Sequence, residues 1–485
     1  MSRSVRRNFV FLAASNMLAP FFSMVLVLAI SRLRGVEELG RYSLLMTVFI
    51  VGQTIAGFGL PVIVTRDVAQ AHGRAGAYFV GASLVSLLLV VPLLLVGEPA
   101  LVRWVTGAEM GPALFVVLLT LVPSSITQAG EAVLLAFERA PDFVMINLAE
   151  TTARACVGCA VVLAGHGVVA IAVVILVLRT LAAAAFVVVL RWRGVRPALR
   201  PDRGLCRDLL REVPVVGAIP VVNSIYARAD VFLLSSLSTW AEVGLYSAAL
   251  RLVDLARTIP PAYARSLYPV LARLRGESEA EFAREARAAL RIALLIVGPL
   301  CLGLFVLAHP LVVRLFGPQL APATTVLRVL CWTLIPLGLA ITLAQILFSA
   351  DRQAIDLRVN VVATAASIGL NVLLIPRLGA VGAAVAVLVT TTLYAGLQYV
   401  WVAGNITRPR ALGHLARLVA ALAAASVAAL VLREPLGEIG AALAAGGVFA
   451  AGLVASGLVT VEEIRRARAF VARRSRVPWA PEGTA

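Results

Sequence analysis

Trp240-Ala-Glu242-Val-Gly244-Leu-Tyr246-Ser247-Ala-Ala-Leu-Arg251-Leu-Val-Asp254 decides the fold. About 200 positions earlier, Val36-Glu-Glu38-Leu-Gly40-Arg-Tyr42-Ser43 carries the same Glu-x-Gly-x-Tyr-Ser order. Further landmarks repeat in the same sequence: Pro92 with Pro299, Thr120-Leu-Val-Pro123 with Thr333-Leu-Ile-Pro336, and Glu138-Arg139 with Asp351-Arg352. Asn147 then matches Asn360, and Gly167-Val-Val-Ala-Ile-Ala matches Gly379-Ala-Val-Gly-Ala-Ala. Matches kept in order at a nearly constant offset point to an internally duplicated chain.

Outside these landmarks the chain is apolar. Of its 485 residues, 60% are hydrophobic and 14% charged, which exceeds what a water-soluble core requires and indicates an all-α polytopic membrane protein. Runs of roughly 20 apolar residues, enough to cross about 30 Å of hydrocarbon, predict about fourteen transmembrane helices. The first, Phe9 to Ile30, reads as an uncleaved span: it is too long for a signal peptide and lacks a clear cleavage site. The expected organisation is a six-helix N-terminal lobe (1–190), a basic cytoplasmic linker (191–212), a six-helix C-terminal lobe (213–403), two extra helices (404–459) and a basic cytoplasmic tail (460–485). An even number of spans per lobe relates the lobes by an axis near the bilayer normal, the pattern of transporters that hold substrate between two halves.

All 43 basic residues are arginine, and the formal net charge is +17. Arginine concentrates in short loops, above all between Arg191 and Arg211 and in the tail from Arg465 to Arg476. Membrane orientation explains this better than nucleic acid does, and it places both termini in the cytoplasm. The five cysteines lie mostly in apolar runs and suit packing, and the scattered histidines form no metal-ligand spacing. No cofactor is expected.

Charges inside predicted spans are the candidate site. Arginine near the centre of a membrane helix costs about 2.5–3.5 kcal/mol, so Arg154, Arg179, Arg228, Arg251 and Arg257 should face protein, a watery cavity or an anionic visitor. On a helix, Arg251 and Arg257 fall about 60° to either side of Asp254, and Arg265 about 20° away. A hairpin turning near Trp240 would set Asp230 level with Arg251, and Arg228 level with Asp254. At most one of these pairs can be direct, which leaves positive charge in excess. Glu150 and Arg154 are spaced to pair along one helix. Phosphate matches a guanidinium bidentately, so the five arginines are the candidate substrate-binding groups. Asp230 and Asp254 would tune them or couple a cation, and Arg265 would be a snorkelling residue.

Pro214 through Tyr226-Ala-Arg228-Ala-Asp230, followed by the Glu242–Leu252 stretch, resembles the central signature of bacterial polysaccharide-unit flippases of the multidrug/oligosaccharidyl-lipid/polysaccharide exporter superfamily. Leu315-Phe316-Gly317-Pro-Gln-Leu-Ala-Pro-Ala323 and Asn371-Val-Leu-Leu-Ile-Pro376-Arg-Leu-Gly379 are similar to two further family segments. The resemblance covers residues 1 to 403. It implies a non-enzymatic carrier in the bacterial cytoplasmic membrane that turns a polyprenyl-pyrophosphate-linked oligosaccharide from the inner to the outer leaflet by alternating access. Its implied partners are that lipid-linked glycan and membrane lipids, with glycan-assembly enzymes as candidate contacts and no nucleic acid. By similarity to peptidoglycan-precursor flippases, spans 414–432 and 438–459 would form a groove for the lipid tail. Those relatives carry arginine in the first span, and Phe9 to Ile30 has none, which favours another glycan as cargo. A cation-coupled multidrug exporter is the alternative, disfavoured because cationic drugs prefer carboxylates. A polytopic glycan enzyme would need a water-facing catalytic loop, and the outer loops are short.

Overall fold

The computed structural model describes residue 18 and residues 20–106, 108–197, 202–406 and 411–459. Every regular element among them is helical. In order they are α1 (Pro20–Leu33), α2 (Val36–Gly57), α3 (Leu60–Gln70), α4 (Ala75–Pro92), α5 (Glu98–Leu101), α6 (Gly111–Leu119) and α7 (Leu121–Ala136). Then come α8 (Ala140–Leu163), α9 (Val168–Trp192), α10 (Arg203–Tyr226), α11 (Ala229–Leu237), α12 (Trp240–Ala256), α13 (Ile259–Glu277) and α14 (Glu279–Val306). The last six are α15 (Ala308–Phe316), α16 (Ala323–Leu330), α17 (Leu334–Ser349), α18 (Gln353–Asn405), α19 (Ala411–Val431) and α20 (Arg433–Ala455).

Ten helical segments among the described residues are long and apolar enough to cross a membrane, or eleven if the bent pair Arg203–Ala218 and Pro220–Tyr226 is one span. The chain is a multi-pass membrane protein. Three features separate this count from the expected fourteen. Residues 9–17 and 19 of the run from Phe9 to Ile30 lie outside the described residues, which leaves α1 too short to be counted, and the arginine-rich tail from 460 lies outside them as well. The expected spans 355–375 and 379–403 join in the 53-residue α18, which breaks at Gly379 (φ 54°, ψ −132°). The expected span 244–272 is interrupted at Arg257–Thr258, where Pro260 and Pro261 begin α13 and remove amide donors from its first turn.

The chain divides into two compact units, one comprising Met1–Arg251, Val312–Val326 and Thr364–Val387, the other Leu252–Leu311, Leu327–Ala363 and Leu388–Ala485. In the first, Val64, Val133, Phe186 and Leu190 lie at the centre of a core built from α3, α4, α7 and α9. In the second, Leu271, Phe282, Leu290 and Ile346 join α13, α14 and α17. There α19 and α20 meet closely, since a Cβ on Gly452 would stand 3.0 Å from that of Ala421.

The repeated landmarks occupy equivalent places. Glu38 Oε1 accepts the amide of Val168 at 2.5 Å, at the start of α9, and Glu242 Oε2 accepts that of Ala380 at 2.6 Å, just past the break in α18. A carboxylate there satisfies an orphan amide and meets the positive end of the helix dipole. A side chain on Gly167 or Gly379 would strike its glutamate, with contacts of 2.9 and 2.5 Å, so the echoed glycines make room for the echoed acids. Gly40 and Gly244 form a reciprocal crossing of α2 and α12: a Cβ on the first would lie 2.1 Å from the Trp240 carbonyl oxygen, and on the second 2.0 Å from that of Val36. Glu138 (φ 56°) and Asp351 (φ 57°) are both left-handed, at matching turns after α7 and α17. Arg139 N donates to Leu134 O and Arg352 N to Leu347 O, each at 2.9 Å.

Candidate functional site

Polar groups inside the apolar helices are the candidate functional groups, and both units hold some. In the first unit, α8 and α9 form an antiparallel hairpin that brings Glu150 and Arg179 level near the middle of both helices. Arg179 Nη1 lies 2.8 Å from Glu150 Oε2, and the two side chains are only 13% and 5% exposed. Arg179 Nε also donates to Ser124 Oγ at 3.0 Å, and Gln53 donates to the same oxygen at 3.2 Å. Ser124 in turn donates to Thr120 O at 2.8 Å, so its hydrogen-bonding capacity is fully used. The expected Glu150–Arg154 pair does not form. Glu150 is buried and its carboxylate is taken by Arg179 from the facing helix, and Arg154, half-buried one turn on, has no ion pair among the described residues.

Arg228 stands in the break between α10 and α11, at non-helical dihedrals (φ −130°, ψ 2°). Asp230, in the first turn of α11, accepts its neighbour's amide from Val231 at 2.8 Å and the hydroxyl hydrogen of Tyr246. Among the described residues Asp230 forms no ion pair with Arg251, and Arg228 forms none with any carboxylate, so neither expected level pair is made. The turn centres on Ser238–Thr239 rather than Trp240, which sets Asp230 opposite the repeat-motif tyrosine instead of Arg251. Arg228 and Arg251 are part-buried and have no ion pair among the described residues.

In the second unit, Arg257 Nη1 sits 3.4 Å from Asp254 Oδ1 and Nη2 sits 3.3 Å from Thr333 Oγ1. Its Nε is buried without a hydrogen-bond partner among the described residues. Arg257 therefore neutralises Asp254 and reaches another helix through the repeated threonine. Arg265 is exposed and donates to Pro261 O at 3.3 Å, as a snorkelling side chain would.

Two polar groups escaped the sequence reading. Glu131 of α7 receives Asn147 Nδ2 at 3.4 Å, close to the Glu150–Arg179 pair. Asp356, one turn into α18, receives the Tyr394 hydroxyl at 2.7 Å and Gln398 Nε2 at 2.5 Å. Both acids lie near the ends of predicted spans, where a carboxylate is ordinary, and only the facing helix reveals a role. Within the first unit Arg154, Arg228 and Arg251 face no carboxylate among the described residues, which suits each of them to hold an anion by charge-assisted bonds.

The family model described as polysaccharide biosynthesis protein matches residues 27–325, more than half of the chain. Over 171 residues, 34% of this chain and 36% of that protein, the sequence is 26% identical to the probable low-salt glycan biosynthesis flippase Agl15 of Haloferax volcanii. The match thus spans about a third of the length of that curated relative. Among solved structures, the lipid II flippase MurJ in an inward closed conformation superposes with a TM-score of 0.71 at 14% identity, covering 92% of this chain and all of that one (100%). An inward-facing multidrug resistance MATE family transporter superposes with a TM-score of 0.68 at 16% identity, covering 82% and 98%. The chain belongs to the polysaccharide biosynthesis protein family, on the fold shared by transporters of the multidrug/oligosaccharidyl-lipid/polysaccharide exporter superfamily.

Proposed function

We propose that this protein is a flippase that carries a polyprenyl-pyrophosphate-linked oligosaccharide from the inner to the outer leaflet of the bacterial cytoplasmic membrane, for cell-surface polysaccharide synthesis. Arg228, Arg251 and Arg257 receive the pyrophosphate, with Arg154 and, on release from Glu150, Arg179. The headgroup crosses by alternating access of the two repeats while the polyprenyl tail stays in lipid. Both termini lie in the cytoplasm, and residues 1–190 and 213–403 act as the two lobes. Asp254 tunes the affinity of Arg257, which must leave it to bind phosphate fully. Asp230 acts through the Tyr246 hydroxyl and is a positioning residue for the α11–α12 hairpin.

The observation that carries this reading is the set of intramembrane arginines, Arg154, Arg228 and Arg251, that lack a carboxylate partner among the described residues. Each is costly inside a membrane helix unless an anion visits it. The family match supports a role in polysaccharide synthesis, and the printed name of the Haloferax volcanii relative supports flipping. The test is polysaccharide export in a deletion strain complemented with Arg251→Ala or Arg257→Ala. Lost export, with lipid-linked oligosaccharide accumulating, is expected. Intact export with both variants at wild-type protein levels refutes the pyrophosphate site.

A further inference from the structure

A cleft of about 650 Å³ runs between α8 and α9. Its walls repeat every four residues on both helices: Met145, Ala149 and Ala153 face Leu181, Ala185 and Val189. The alanines leave space where larger side chains would close the hairpin, and the flanking Met145 and Leu181 are 64% and 60% exposed. We propose that this cleft holds the polyprenyl chain of the lipid-linked cargo while its headgroup is still in the cytoplasmic leaflet, an inference that rests on the flippase reading above.

The dimensions favour an isoprenoid. From Asp142 to Ala153 the cleft extends about 17 Å along α8, close to the roughly 15 Å of hydrocarbon in one leaflet. Its volume over the roughly 17–22 Å that the lining spans along α8 and α9 gives a cross-section of about 30–40 Å², too narrow for a helix about 10 Å across. It is wider than a straight hydrocarbon chain needs, which suits a chain with a methyl branch on every fourth carbon. The two ends differ in character. At one, Arg193 grips Asp142 with two bonds of 2.9 Å beside the exposed Trp192, the arginine and aromatic pairing found at headgroup depth. At the other, deeper end stands the Glu150–Arg179 ion pair, so the phosphate end of a bound chain lies beside Arg193 and its tail runs inward. Burying the chain against these walls replaces lipid contacts at little cost, and the alanine floor supplies shape selectivity.

Purified full-length protein in lipid nanodiscs, exposed to a polyprenyl phosphate bearing a photoreactive diazirine in its chain, tests this directly. Labelled peptides should map to residues 140–163 and 168–192. Ala149→Leu combined with Ala185→Leu should cut that labelling about tenfold, or ~1.4 kcal/mol. Phosphatidylglycerol with the same diazirine in an acyl chain should label the cleft far less. Labelling that maps to α19 and α20 overturns the proposal, as does a wild-type cleft labelled equally by the phospholipid. Mapping on the wild type needs no variant to fold. The assay involves no translocation, so failure here with export still dependent on Arg251 removes the cleft alone and leaves the flippase reading in place.

Discussion

The crossing of α2 and α12 gives the sharpest quantitative test of the duplicated fold. A Cβ added at Gly40 lands 2.1 Å from the Trp240 carbonyl oxygen, against an ordinary contact of 3.4 Å or more, so Gly40→Ala must part the helices by more than an ångström. The obstacle is backbone, which cannot swing aside as a side chain tip would. Overpacking of this kind costs about 1–3 kcal/mol. Gly244→Ala meets the Val36 carbonyl oxygen at 2.0 Å and should cost the same, because the crossing is reciprocal. One separation relieves both clashes, so the double variant should be less destabilised than the two singles added together. Gly369→Ala, on a helix with nothing within 4 Å of the added carbon, is the control and should be neutral or gain about 0.5–1 kcal/mol. Thermal unfolding of the detergent-purified variants reads all four. Unchanged melting for Gly40→Ala, or strictly additive losses, would refute the reciprocal crossing.

Three further outcomes follow from the same geometry. Glu150→Gln leaves the Arg179 charge buried without its partner and should destabilise by about 3–5 kcal/mol, whereas Glu150→Leu with Arg179→Met should recover most of that loss, as a thermal double-mutant cycle would show. Glu242→Ala uncovers the Ala380 amide and should loosen the broken α18 more than Glu37→Ala, whose exposed side chain makes only a 3.7 Å ion pair; amide exchange at Ala380 distinguishes them. Asp202 caps α10, and its carboxyl is held below the usual range chiefly by the Leu205 amide, helped by Gly204 and Arg74. A depressed value means the cap contributes at neutral pH and is lost as pH falls through the folded-state value. Asp202→Asn should therefore flatten the acid side of the unfolding profile.

Much of the fold was legible in the sequence because membrane helices obey a strong one-dimensional rule and duplication leaves pairs to compare. The Glu-x-Gly order, the two later glycines and the left-handed Glu138 and Asp351 each proved to do the same physical job twice. The charges were legible only as residues that must be accounted for, not as partners. Helical spacing offered Arg154 to Glu150, yet the facing helix supplied Arg179, whose guanidinium reaches across a hairpin the sequence does not register. A shift of the turn from Trp240 to Ser238–Thr239 moved Asp230 from Arg251 to Tyr246. Such a small displacement is invisible to hydropathy, which reads how apolar each run is and not which residues of two runs stand opposite one another. The break at Arg257–Thr258 was foreshadowed by Pro260-Pro261, which lack the amide donors that would have continued the helix onto the carbonyls of the preceding turn.

The central claim, that intramembrane guanidinium groups carry a pyrophosphate headgroup across the bilayer, is tested most directly in proteoliposomes. Purified protein and a fluorescent polyprenyl-pyrophosphate oligosaccharide are reconstituted together, and the fraction reached by a membrane-impermeant quencher is followed in time. The account predicts rapid redistribution with the wild-type protein and a rate near that of protein-free vesicles with Arg251→Ala or Arg257→Ala. Wild-type vesicles no faster than empty ones, or arginine variants as fast as the wild type, would contradict it.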